Sequence, residues 1–270
     1  MKTQRRQLAS NLHFKLYKLE GRSLTQKTFD IDWGFFSLIE FILSSSSQIG
    51  SRYKTALDIG SGDGIHTEIL RSVGLEVFQL DKYSDTAKYK VDFISHTFDQ
   101  KFDVIFCSHV IEHQRNVGHF LDKIFDVMSD DGLLLISAPK HPAESLINGH
   151  LNCFYSTYFI QQLIHAGFDL KNGKYLSCLH AENAAIVSKA KNFELSEREE
   201  SGYIWTEKHQ ERSCIKLINQ TIEKNIAWFH NCTALYSSDT QLKFDVNFPE
   251  NYKSKEIDII SKRHGFKITI

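Results

Sequence analysis

Three glycines at alternate positions, Gly60, Gly62 and Gly64, follow a short strand-like run that carries Asp58 near its end. Behind them, Ile65, Ile69 and Leu70 mark one face of a helix. A strand, a tight turn and a helix start, in that order, make a seat for a ligand. Missing side chains let the ligand lie against the backbone. The helix start leaves unpaired N–H groups pointing toward it. The spacing excludes two phosphate cradles. A dinucleotide turn needs Gly-x-Gly-x-x-Gly, and the residue three after Gly62 is Ile65. A P-loop needs Lys after its last glycine, and here again Ile65 stands in the way. A glycine turn that only connects strand to helix is the plain alternative.

Further polar residues fall at the ends of strand-like segments. Glu76–Leu80 is a second strand pattern and is followed by Asp81. An acid about 20 positions past such glycines is where nucleotide folds hold a ribose diol. Val91–Phe93 reads as a short third strand around Asp92, which could equally be a turn former. Phe102–Ser108 is a fourth strand leading into His109, Glu112 and His113. A helix is expected over Val117–Met128, with Phe120, Leu121, Ile124, Phe125 and Met128 at helical spacing and Asp130, Asp131 and Gly132 ending it. Leu133–Ser137 suits a strand buried on both faces. His150, Tyr155, a helix over Tyr158–Ala166 and the pair Gly167 and Phe168 follow.

This ordered set resembles the class I S-adenosylmethionine-dependent methyltransferases. The resemblance is carried by Asp-x-Gly-x-Gly-x-Gly at 58–64, by Phe-Asp-Val-Ile at 102–105 and Ile-Glu-His at 111–113. The closing Ala166, Gly167 and Phe168 add to it, and it covers residues 50–190. It implies S-adenosylmethionine as cofactor and S-adenosylhomocysteine as product. A sulfonium ligand needs no pyrophosphate cradle, and its positive groups suit Asp58 beside a polar turn. The resemblance further implies cofactor contacts at Asp58, Gly60, Ser61, Gly62 and Gly64. It places Asp81 and Lys82 at the ribose, Asp92 and Phe93 at the adenine, and Ser108 and His109 beyond the fourth strand.

Composition agrees with a folded enzyme. The chain has 270 residues, enough for a large core, and 41% of them are hydrophobic, which argues against disorder. Basic and acidic residues number 32 and 33, so no bulk positive field exists to hold nucleic acid. Lys2, Arg5, Arg6, Lys15 and Lys18 read as a solvated arm, without the apolar stretch of a signal peptide. The apolar run at Phe35–Leu43 is too short to span a bilayer and carries Glu40. Five cysteines without a Cys-x-x-Cys pair argue against a disulfide framework or zinc knuckle and for a reducing cytoplasm. The glycosylation triplet at Asn231 is read as chance.

Alternating strand and helix patterns, with the resemblance, predict an α/β fold. The expectation is a Rossmann-like, mostly parallel seven-stranded sheet with helices on both faces. An N-terminal helix and a C-terminal α+β appendage are added to it. Residues 1–50 form an arm and the helix, and 51–190 the cofactor-binding core. Residues 191–270 form an extension that caps the substrate or makes a homodimer contact. In the core, Tyr175–His180 and Asn183–Lys189 are the antiparallel closing strands. In the extension, Ser213–Phe229 has helical spacing, and a short helix from Glu256 precedes a strand at Phe266–Ile270.

Methyl transfer is an in-line displacement, and an oxygen acceptor calls for a general base, for which imidazole is suited. In open α/β sheets ligands sit beyond the carboxyl ends of the strands. His109 and His113 follow strand four there, and His141 and His150 follow strand five. His113, His141 and His150 are the catalytic candidates. Glu112 orients a neighbouring His or simply opens a helix, and Tyr155 touches the acceptor or packs. His109, Glu112 and His113 also fit a metalloprotease pattern, but that chemistry needs a helix and leaves the glycine turn unexplained. Small-RNA 2′-O-methyltransferases hold a metal with Glu-x-x-Glu-His. This chain has His109 where that pattern has Glu. With His113 and His150 a divalent ion is conceivable, but the departure and the neutral net charge make that the minority reading, and no metal ligand is assigned. The resulting expectation is O-methylation of a small molecule or glycan. An RNA methyltransferase, metal-assisted or not, and a non-catalytic partner of the same fold are the alternatives.

Overall fold

The computed structural model describes residues 33–45, 47–140, 146–178, 182–191 and 193, and beyond these the backbone of five strand segments at 13–20, 23–30, 233–236, 259–261 and 266–269. The elements are β1 (His13–Glu20), β2 (Ser23–Asp30), α1 (Phe35–Ser45), β3 (Thr55–Ile59), α2 (Ile65–Ser72), β4 (Glu76–Leu80) and β5 (Phe102–Ser108). A 3-10 turn at Ile111–His113 precedes α3 (Val117–Val127), β6 (Met128–Pro139), α4 (Ser156–His165), β7 (Phe168–Cys178) and β8 (Glu182–Lys189). The last strands are β9 (Thr233–Tyr236), β10 (Ile259–Ser261) and β11 (Phe266–Thr269).

Seven strands form one sheet in the order β4-β3-β5-β6-β8-β7-β9. The first four run parallel, and β8, β7 and β9 each pair antiparallel. The two-residue period of the strands sorts their side chains onto two faces. Leu57, Ile105, Leu134 and Val187 stand in register across four strands and belong to one core cluster. That cluster takes in Phe120, Leu121 and Ile124 of α3 and Phe159, Ile160, Leu163 and Ile164 of α4. Val104, Phe106 and Leu135 point the other way, onto Phe35, Leu38 and Ile42 of α1 and Ile69 and Leu70 of α2. Glu40, almost fully buried on α1, pairs with Lys174 of β7 and so ties the helix to the sheet.

The α/β sheet covered on both faces and the helix before it agree with the sequence reading. Four local readings are corrected. Residues 91–93 form no strand. Asp92 Oδ1 accepts the Ile94 N–H at 2.9 Å and turns the chain, and β4 meets this segment only through an isolated bridge from Leu80 to Tyr89. The seventh strand is instead β9. Asp130, Asp131 and Gly132 lie inside β6. The N-terminal arm contains a β-hairpin, β1 and β2, and β11 joins β1 in a four-stranded antiparallel sheet. Residues 259–261, expected in a helix, form β10 in that sheet. The helix expected over 213–229 lies outside the described residues.

Ile105 is fully buried at the centre of the sheet. Ile105→Ala should cost about 2–5 kcal/mol of stability, read by urea unfolding.

Candidate active site

The parallel strands bring four turns to one edge. The turn after β3 is tied to the end of β4, since Gly60 and Ser61 N–H donate to the Leu80 carbonyl at 2.8 and 3.1 Å. Gly62 N–H donates to Asp81 Oδ2 at 3.0 Å, and Asp81 Oδ1 accepts the N–H groups of Tyr83 and Ser84 at 2.7 and 2.8 Å. All three glycines have positive φ, of 71°, 52° and 83°. A Cβ on Gly60 would lie 2.2 Å from Val110, and one on Gly64 2.8 Å from Gln79. At Gly62 a Cβ would meet nothing within 4 Å. The protein itself therefore leaves space at Gly62, beside the pocket.

That pocket, about 150 Å³, is lined by Gly60, Ser61, Gly62, Ser108 and His109 of the expected set, with Trp33, Asp63, Ile65 and His66 added. Asp58 lies buried next to this turn and accepts a hydrogen bond from the Thr67 hydroxyl. Desolvation raises its pKa to about 7, against the pull of the Thr67 hydrogen bond. Lys82 and Asp92 pair at 3.0 Å beyond Asp81, and the Lys82 hydrogen bond holds the Asp92 carboxyl below its ordinary value. Phe93 is buried and packs edge-on against Phe120 in the core.

No sequence signal marks Trp33; only the fold places it here, stacked on His109 with ring centroids 5.3 Å apart. Its carbonyl accepts the Ser108 hydroxyl at 2.9 Å. The next N–H, of Gly34, donates to Glu182 Oε2 at 2.6 Å. Ile65 and His66 could have been found from their place directly after the glycines. His109 has φ 54°, the left-handed region that a non-glycine residue enters at a cost. Its Nε2 is 2.9 Å from Glu182 Oε2 and its Nδ1 3.7 Å from Glu112 Oε1. Both glutamates are 1% exposed. Three buried carboxylates, Asp58, Glu112 and Glu182, thus cluster at this edge, which suits a positively charged ligand.

Beyond His109, the His113 and His150 rings stand perpendicular with centroids 5.0 Å apart. The sequence candidates His113 and His150 are therefore brought together. His141 lies outside the described residues. Tyr155 is half exposed, at the start of α4.

Two consequences can be measured. The folded state holds the Asp58 proton up to about pH 7, whereas an unfolded Asp releases it near pH 4. Stability therefore falls as pH rises through that window, by up to the order of 4 kcal/mol from this group. Asp58→Asn should raise the melting temperature of the cofactor-free protein, relative to wild type, more at pH 8 than at pH 5. Gly62→Ala meets no protein atom, so it should lose only about 1 kcal/mol of stability to its backbone angle. Its affinity for S-adenosylmethionine, read by calorimetry, should drop about tenfold or more.

Comparison with known proteins agrees. The chain is 27% identical over 105 residues to a ubiquinone biosynthesis O-methyltransferase of Azorhizobium caulinodans, covering 33% of this chain and 42% of that protein. It is 24% identical over 124 residues to one of Rickettsia typhi, covering 40% of this chain and 50% of that protein. The chain thus spans about half the length of the curated relatives it matches. Among solved structures, it is similar to a Burkholderia thailandensis 1,6-didemethyltoxoflavin-N1-methyltransferase with S-adenosylhomocysteine bound. The likeness has a TM-score of 0.46 at 15% identity, over 55% of this chain and 77% of that chain. The family model described as a methyltransferase domain matches residues 35–172, just over half of the sequence. With the glycine turn and acids that suit a sulfonium cofactor, the chain belongs to this family, among the class I S-adenosylmethionine-dependent methyltransferases.

Proposed function

We propose that the protein transfers a methyl group from S-adenosylmethionine to an oxygen of a small-molecule or glycan acceptor. The observation that carries this reading is the adjacency of two features. The open turn at Gly62 and the imidazole of His109 line one pocket, and His113 and His150 stand past His109 on the same strand edge. The names of the curated relatives, ubiquinone biosynthesis O-methyltransferases, support oxygen as the acceptor atom.

The bound cofactor supplies an activated methyl group and its own leaving group. The chain's residues do the rest. Gly60, Ser61 and Gly62 offer backbone to the cofactor. The Asp81 carboxylate is placed to accept from the diol, and Asp58, which holds its proton up to about pH 7 in the free protein, would ionise as the ammonium approaches. Trp33 and His109 close the pocket against water. With the cofactor bound, these residues would hold the acceptor oxygen toward the methyl group. A histidine at this edge would take the proton that the acceptor hydroxyl gives up. His113 donates through Nδ1 to the Gly149 carbonyl at 2.7 Å, which leaves Nε2 as its basic nitrogen. His150 and His141 belong to the same reading. Residues 191–270 are read as a substrate cap or dimer contact, outside a core at 51–190. The reaction is read as cytoplasmic, in keeping with the reduced, buried thiol of Cys107. No helix among the described residues is long and apolar enough to cross a membrane.

Calorimetry with S-adenosylmethionine, S-adenosylhomocysteine and NADH tests the cofactor. The two sulfur compounds should bind and NADH should not, and Asp81→Ala should weaken binding about tenfold or more. A panel of phenols, sugars, amines and short RNA then tests the acceptor. Methylation of hydroxyl compounds is expected. Transfer to amines alone would refute an oxygen acceptor. Salt-sensitive RNA methylation would establish the competing RNA reading. Cofactor binding without turnover on any acceptor would point to a non-catalytic partner.

A further inference from the structure

Glu182 is the first residue of β8, opposite Pro139 of β6 and Cys178 of β7. The backbone of β8 is held from both sides, so strand pairing does not need this side chain. By the two-residue period Glu182 shares a face with Ile186, which packs in the cluster of Phe35, Leu38 and Ile42. An apolar side chain would suit that face. A carboxylate stands there instead, 1% exposed. Its Oε2 lies 2.6 Å from the Gly34 nitrogen and 2.9 Å from His109 Nε2. The Gly34 N–H can only donate, so Oε2 accepts there, and the imidazole donates to the same oxygen through Nε2–H.

Those two donors lie directly behind one wall of the pocket. Gly34 follows Trp33 in the chain, and the Trp33 ring stacks on the His109 ring with an angle of 29° between their planes. Trp33 and His109 both line the pocket, whereas Glu182 does not. The left-handed backbone of His109, at φ 54°, persists only where its surroundings over-determine it. Three contacts do so here: the ring bond to Glu182, the stack on Trp33, and the His109 N–H to the Ser137 carbonyl at 3.1 Å.

We propose that Glu182 is a positioning residue of the cofactor pocket, acting through Gly34 and His109 to set the Trp33–His109 wall. The proposal rests on the reading of this pocket as the seat of the cofactor. Because one oxygen holds both donors, the start of α1 and the tilt of the imidazole are fixed together. A wall fixed by the protein's own bonds costs less to order when a ligand enters, and that saving appears as affinity.

The test is calorimetry of S-adenosylhomocysteine with the full chain, each variant being checked for folding by urea unfolding. Glu182→Leu, of similar size but without an acceptor, should weaken binding about tenfold or more. Glu182→Gln keeps an acceptor oxygen and should stay within about threefold of wild type. His109→Asn removes the ring, and Asn tolerates the left-handed backbone. In that background Glu182→Leu should cost less than about threefold further, because its effect runs through the ring. Asn183 is the next residue of β8 and points to the other face, where its side chain donates to the Phe154 carbonyl at 2.8 Å and accepts the Tyr175 hydroxyl at 2.6 Å. Asn183→Ala should lower stability and leave affinity within about twofold.

Unchanged affinity in Glu182→Leu, with Gly62→Ala weakened, would overturn the proposal and leave the pocket reading standing. An equal loss with and without the His109 ring would also overturn it. So would an Asn183→Ala loss matching that of Glu182→Leu, since the effect would then be a general loosening of β8. Unchanged affinity in Gly62→Ala would remove the pocket reading itself, and the proposal with it. If Glu182→Leu does not fold, Glu182→Asp, one methylene too short to reach both donors, takes its place in the cycle.

Discussion

The parallel register of β3, β4, β5 and β6 is the constraint on which the site depends. Ile59 stands opposite both Leu80 and Cys107, and Ser108 opposite Ser137. All four carboxyl ends therefore open on one edge, and every turn that leaves it adds polar groups to the same small volume. Burial on both faces holds the register, because a one-residue slip would exchange the residues facing α3 and α4 with those facing α1 and α2. Ser108 and Gly34 show how tight the arrangement is. A Cβ on Gly34 would lie 2.3 Å from the Ser108 hydroxyl oxygen. Only a glycine lets α1 begin against the end of β5.

The polar groups collected at this edge are not arranged for stability alone. Asp58, Glu112 and Glu182 are each 1% exposed. Desolvation pushes the carboxyls of Asp58 and Glu112 above their ordinary values. A fold selected only for stability would fill such positions with apolar side chains. The left-handed backbone of His109, wedged between two of these acids and stacked by Trp33, is a second local cost at the same place. Cost concentrated at one edge of an otherwise well-packed sheet is the physical mark of a binding site.

Much of this was legible along the chain. β4 falls over Glu76–Leu80 as its alternating pattern indicates, and α3 ends one residue before the expected Met128. The glycine turn, Asp58 and Asp81 are close in sequence and declared their place through spacing. The misreadings have local causes. Val91–Phe93 resembles a strand in composition, but the Asp92 side chain captures the Ile94 N–H and Lys82 captures Asp92. Asp130, Asp131 and Gly132 look like a turn, yet β6 begins at Met128, opposite Phe102. The edge strand β9 comes from residues 233–236, far along the chain from its partner β7. No local pattern announces such a partner.

The sequence by itself determined the fold class, the glycine turn and the acids at the ends of β3 and β4, because these rest on periodicity and on spacings of a few residues. Only the tertiary structure decided which distant side chains meet. It brought Trp33 onto His109, Glu182 onto both Gly34 and His109, and His150 against His113 and Glu112. These contacts link residues tens of positions apart through turns whose paths depend on packing.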